Sequence, residues 1–205
     1  MGLSEGVYFN SYFLQYLMLN TIYSIINSLI LTRVLRQVPY GYIFLFFWLY
    51  GMTVFSMCYL FQSFVDKTRI AVIISIIVYF VMYFISQAFF SDTILNGSKM
   101  AVSLFPPAAL ALGVIVFSQF EVALLPFDSS KLNMTFQNYT VGNMYTMLII
   151  DVLIYLFLGF YLQNILPQQY GTRKPFYFLF TREYWSNNAK VSFIDETLKE
   201  LSNYI

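Results

Sequence analysis

The residue best placed to do chemistry in this 205-residue chain is an acid where an acid is costly: Asp151 interrupts the apolar run MLIIDVLIYLFLGFY. A carboxylate at that depth must face protein, water or a partner, so it is either a functional group or a packing group. Asn143, Met147, Asp151, Tyr155, Gly159 and Gln163 follow one another at four-residue steps and form a slowly drifting stripe on one side of a helix. A stripe mixing Gly, Tyr and Asp has the make-up of a helix-packing seam. Asp151 is therefore read first as an intramembrane acid bonded to a neighbouring helix, with Tyr155 beside it, and second as a latch or a polar point on a substrate path. Glu121, the other acid among apolar neighbours, is read as bonding backbone donors ahead of steering a headgroup.

The remaining inventory excludes most catalysis. The chain has no histidine and one cysteine, Cys58. Histidine-based nucleophile pairs are impossible, no common zinc site can be assembled, and there is no disulfide framework. Its 10 acidic residues form no convincing acid and base pair. The phosphate cradle G-x-x-x-x-G-K-[ST] is absent, so the chain by itself is not expected to hydrolyse ATP. Catalytic, cofactor-binding and metal-binding residues are all expected to be none. A net charge of +1 also gives no basic patch for nucleic acid.

Composition says what positions these groups. With 59% hydrophobic, 21% aromatic and only 10% charged residues, the chain is too apolar for a soluble domain of its size and reads as a multi-pass integral membrane protein, of the plasma membrane or an intracellular one. Spans are predicted at 7–31, 40–62, 71–90 and 143–166, each long enough for a hydrocarbon core of about 30 Å. On the first, Asn20, Ser24 and Asn27 would share a face, read as helix packing ahead of pathway lining. On the second, Gly51, Thr53 and Ser56 would let a neighbour approach closely, and Cys58 reads as a small buried hydrophobe.

Residues 100–125 are different. Pro106 and Pro107 remove two donors, and Gly113 and Glu121 follow, a pattern that suits a re-entrant helical hairpin better than a straight span. The fold class is therefore all-α polytopic, with four spans plus a hairpin, or alternatively five spans. Between 126 and 140 lie two N-x-[ST] sequons, at Asn133 and Asn138, which place that loop outside and mark a candidate glycoprotein. Four spans with a cytosolic N-terminus put Lys67, Arg69 and the basic tail inside, against Arg33, Arg36, Lys99 and Lys131 outside. Five spans satisfy the positive-inside rule slightly better.

The ordered motifs then resemble a known family. Met1-Gly2-Leu3, residues 64–71, Phe105-Pro106-Pro107 with Gly113, and Asp151 with Tyr155 are similar to the second part of a transmembrane domain from A-subfamily ABC transporters. The match is strongest at Pro167, Tyr170, Gly171, Lys174, Pro175, Tyr184 and Trp185, which follow the family's P-x-x-Y-G, [RK]-P-x-x-F and Y-W pattern; Gln168-Gln169 and Phe176 depart from it mildly. The resemblance implies that 1–166 is part of a transmembrane domain and that 167–205 is a cytosolic linker, its 167–185 portion coupling the helices to a nucleotide-binding domain beyond this sequence. It further implies a lipid-like substrate, partnership with the bilayer, the remaining helices and the nucleotide-binding domains, and ATP with magnesium bound in those domains only. The rival is a free-standing small membrane protein that acts as a scaffold or regulatory subunit, which the flanking coding sequence would distinguish.

Overall fold

An apolar run in lipid must satisfy its own backbone hydrogen bonds, and each long run here does so as a helix. The computed structural model describes residues 5–65, 68–166 and 176–177, apart from the side chains at positions 5, 6, 8 and 68. In chain order these are α1 (Glu5–Val34), α2 (Tyr40–Gln62), α3 (Thr68–Gln87), α4 (Asn96–Val102), α5 (Pro106–Val122) and α6 (Val141–Ile165). A short antiparallel hairpin, β1 (Thr135–Phe136) and β2 (Tyr139–Thr140), precedes α6. Helices α1, α2, α3 and α6 are each long and apolar enough to cross a membrane. The protein is an all-α polytopic membrane protein. It forms two units, Met1–Leu162 and Gln163–Ile205; in the second, Phe176 and Tyr177 are exposed at a turn.

The predicted spans shift at their ends. α1 continues to Val34 because Thr32 and Arg33 keep the helical ladder beyond the apolar run, and α3 stops at Gln87, where Ala88 and Phe89 bond instead to Ile85 and Ser86 in tighter turns. Cys58 is exposed rather than buried: it lies two turns beyond Gly51 on the same side of α2, where the rings of α1 pack on Phe55 and Tyr59 instead.

The proline-bearing segment starts earlier than expected, at Asn96, and has two helical arms. Pro106 and Pro107 do not break α5 but begin it, at a position where their missing donors cost nothing and their fixed φ suits the first turn. At 17 residues, α5 rises only about 26 Å, short of a full crossing. The outer ends of both arms lie at one face. Glu121 Oε2 accepts the Gln37 N–H at 2.9 Å, and the Phe127 N–H donates to the Gln37 carbonyl at 2.8 Å. At the other arm, Asn143 Nδ2 donates to Asn96 Oδ1 at 3.0 Å. The α1–α2 turn, both arm ends and the start of α6 are thus on the same side, so the segment re-enters. Five spans would need residues 35–39 and 126–140 on opposite sides, which these bonds exclude.

Packing follows the small residues. α1 and α2 run antiparallel, joined by Tyr16 OH to the Gly51 carbonyl at 2.7 Å and Asn20 Nδ2 to the Trp48 carbonyl at 3.1 Å. α2 and α6 run parallel, joined by Tyr145 OH to the Tyr42 carbonyl at 2.7 Å and, towards the other face, by Ser63 Oγ to the Gly159 carbonyl at 3.0 Å. A Cβ on Gly159 would stand 2.6 Å from the Tyr59 ring. One on Gly113 would stand 2.4 Å from Phe46 and 2.6 Å from Met144 Sδ, so its lack of a side chain is what lets α5 nest between α2 and α6. Around that junction Phe117 meets Phe46 edge-on at 5.5 Å, and Phe120 meets Phe127 edge-on at 4.9 Å, geometries that add to their area burial.

Candidate functional site

Two polar places are built inside this apolar frame. The first lies where the hairpin meets α6. Asp151 is fully buried, and neither of its oxygens finds a hydrogen-bond partner among the described residues. Tyr155, one turn on, donates its hydroxyl to the Leu104 carbonyl at the hairpin's inner tip. Tyr139 and Tyr155 are both within electrostatic reach of Asp151. On the hairpin's first arm, Lys99 is buried with its Nζ 2.6 Å from the Gln137 carbonyl, and Ser103 Oγ meets the Tyr139 hydroxyl at 2.9 Å. Burial pushes the Tyr139 phenol up to about 12. The result is a chain of polar anchors that pins a re-entrant segment against a span. Its one unanswered neighbour is Asp151, a buried acid without a hydrogen-bond partner among the described residues.

The second place is a cleft of about 450 Å³ between α1, α2, α3 and α5. Tyr16, Asn20, Tyr23, Ser24 and Asn27 line it from α1, Tyr50 from α2 and Tyr79 from α3, where the Tyr50 and Tyr79 hydroxyls stand 2.5 Å apart. The α1 stripe divides along its length. Asn20 and Ser24 are buried against α2, joined on that face by Ser28, whereas Asn27 is exposed and its amide donates to the Tyr23 carbonyl of its own helix. A carboxamide and a tyrosine facing outward about two to three turns below a helix end call for water, a polar ligand or another protein surface.

The other sequence-derived residues fall elsewhere. Glu121 does bond a backbone donor, but that of the α1–α2 turn rather than one in its own hairpin. Asn133 and Asn138 are both exposed. Asn138 occupies the β-turn with a φ of 59°, and its amide donates to the Asp92 and Ile94 carbonyls at 3.1 and 3.2 Å. Pro167, Tyr170, Gly171, Lys174, Pro175, Tyr184 and Trp185 lie outside the described residues. No group of three or more His, Cys, Asp or Glu side chains that could hold a metal occurs among the described residues.

No protein-family model matches the chain. Individual proteins do. ABC transporter A family member 2 of Dictyostelium discoideum is 26% identical over 191 residues, covering 90% of this chain and 11% of that protein. The human retinal-specific phospholipid-transporting ATPase ABCA4 is 27% identical over 209 residues, covering 97% of this chain and 9% of that protein. The chain is related to A-family ABC transporters. Another relative, the mouse glucosylceramide transporter ABCA12, is 26% identical over 192 residues and 7% of its length is covered. The chain therefore spans about a tenth or less of these A-family relatives, and it is a multi-pass membrane segment in its own right.

Sequence reasoning missed Lys99, Ser103 and Tyr139. Lys99 and Ser103 stand four residues apart, the spacing of one helical face, but they straddle the point where the polar connection gives way to the apolar run, so no continuous pattern joins them in one helix. Tyr139 sits inside a sequon in a polar loop. Nothing local marks it as buried.

Proposed function

We propose that this chain supplies later membrane helices of one transmembrane half of an A-family ABC transporter and lines part of the path taken by a lipid-like substrate. The observation that carries this reading is the tyrosine- and amide-lined cleft between α1, α2, α3 and α5, within a chain whose relatives include a phospholipid-transporting ATPase and a glucosylceramide transporter. Hydroxyl and carboxamide groups at that depth suit the polar part of a lipid, while Phe47, Val54 and Leu110, which line the same cleft, suit its chains.

ATP and magnesium belong to nucleotide-binding domains outside this sequence, since no residue pattern here fits either. Helix movement in such a machine changes transport only if the two arrangements differ in affinity or access for the lipid. The re-entrant hairpin, pinned by Tyr155 and Tyr139 to α6 and the strand before it, is the element that would carry such a rearrangement to the cleft through α5. The tail at 167–185 is the coupling element of this proposal.

A photoactivatable phospholipid analogue, incubated with the transporter that contains this sequence, tests the reading. Labelling is expected on Tyr23, Asn27 or Tyr79 and is expected to change when ATP is added. Labelling confined to the outward residues of α3, such as Ile73 and Phe80, would contradict it.

A further inference from the structure

Arg33 in the last turn of α1 and Arg36 in the turn that follows carry guanidinium groups that no described carboxylate answers. The nearby acids are committed: Glu121 accepts the Gln37 N–H, and Asp128 accepts from Ser130 and pairs with Lys131 at 3.7 Å. The other basic groups described on this face have partners as well, Lys99 in the Gln137 carbonyl and Lys131 in Asp128 and the Pro126 carbonyl. The two arginines instead line an open cleft of about 540 Å³ with Leu29, Thr32 and Tyr40.

A second feature points into the same place. α2 begins there with Pro39 as its N-cap, without a side-chain cap and without an acid in its first turn. Its first N–H groups and the positive end of a 23-residue helix are left for an anion. Below the arginines the same side of α1 presents Ile22, Ile26 and Leu29, 54%, 48% and 55% exposed, an apolar wall leading towards the bilayer centre. At 100° per residue this side averages about 140° from Asn20 and Asn27, and the two clefts share no lining residue. The site therefore faces away from the polar cleft and is separate from the proposed path.

We propose that the Arg33–Arg36 cleft holds the phosphate of an anionic phospholipid in the leaflet nearest the α1–α2 turn, with an acyl chain along Ile22, Ile26 and Leu29. Bidentate arginine contacts and free helix N–H groups recognise any phosphate. The apolar wall beneath them is what selects a lipid over a free anion. This lipid is bound rather than transported.

The test uses the full chain in phosphatidylcholine nanodiscs containing traces of spin-labelled phosphatidylglycerol or spin-labelled phosphatidylcholine, and reads the motionally restricted fraction of each. The wild-type chain is expected to prefer phosphatidylglycerol by about fivefold per engaged arginine at low salt. R33Q/R36Q abolishes the preference, R33K/R36K retains part of it, and K131Q leaves it unchanged. Circular dichroism and a monodisperse elution profile establish that each variant is folded. Equal restriction of the two lipids by the wild type, as when a second copy or another transporter domain covers this face, overturns the proposal. So does a preference that survives in R33Q/R36Q. Displacement of the lipid by millimolar inorganic phosphate, beyond what chloride does at the same ionic strength, would reassign the site to a free anion and overturn it too.

Discussion

Asp151 has two oxygens that no described residue bonds, in a helix whose other buried positions are Val141, Met144, Met147, Leu148 and Gly159. A charged carboxylate in that setting is desolvated without compensation, at a cost of several kcal/mol. Replacing it in the chain alone removes that cost. Asp151→Leu is therefore expected to leave the thermal midpoint of the isolated chain in detergent unchanged or raised, and to lower that of the assembled transporter, where the acid would meet its partner. A lowered midpoint in the isolated chain would place the partner within this sequence. Tyr139 behaves in the opposite way, because its hydroxyl is already matched to Ser103. Tyr139→Phe should cost about 1 kcal/mol of stability, the net contribution of one hydrogen bond, since Ser103 keeps its bond to the Lys99 carbonyl, and chemical unfolding in micelles would measure it.

The hairpin formed by α4 and α5 is the element on which the architecture turns. Gly113 admits α5 between Phe46 and Met144, so Gly113→Leu should destabilise the fold by about 1–3 kcal/mol and loosen protease protection of the segment first. The short strand pair before α6 also separates the two sequons. Asn138 holds a left-handed turn position and donates to two carbonyls, whereas Asn133 lies outside that turn with its side chain exposed. Glycosylation in a glycosylating host is expected at Asn133, and a mobility shift that survives Asn133→Gln but not Asn138→Gln would contradict this. Much of this level was legible in the sequence. The apolar runs located all four spans, and Pro106-Pro107 with Glu121 marked the re-entrant segment. The missing part was tertiary: whether a buried lysine has a carbonyl to meet, or a loop tyrosine a serine, depends on contacts some 40 residues apart that no local pattern carries. The same holds for Cys58, left exposed because the rings of α1 pack on Phe55 and Tyr59 beside it.

At the scale of the molecule, the four spans among the described residues have a consequence for orientation. Phe9 of α1 packs on Tyr59 of α2 at 5.1 Å, and Gly159 of α6 lies beside Ser63, so α1 begins on the face towards which α6 runs. With the sequons outside, that face is the cytosolic one, and a tag at Met1 should resist protease added to intact cells. Arg33 and Arg36 then stand on the outer side against the positive-inside rule, a bias that five spans would have relieved and that a bound anionic lipid would offset. The central claim, that the polar cleft is part of a lipid path, is tested most directly by ATP-driven lipid translocation in proteoliposomes containing the full transporter. The Asn27→Leu/Tyr79→Phe variant is compared there with the wild type and with Ile76→Ala on the outward side of α3. Translocation should fall about tenfold in the cleft variant, equivalent to ~1.4 kcal/mol in the barrier, with Ile76→Ala unaffected and all three proteins equally folded. Equal translocation by the cleft variant and the wild type would contradict it.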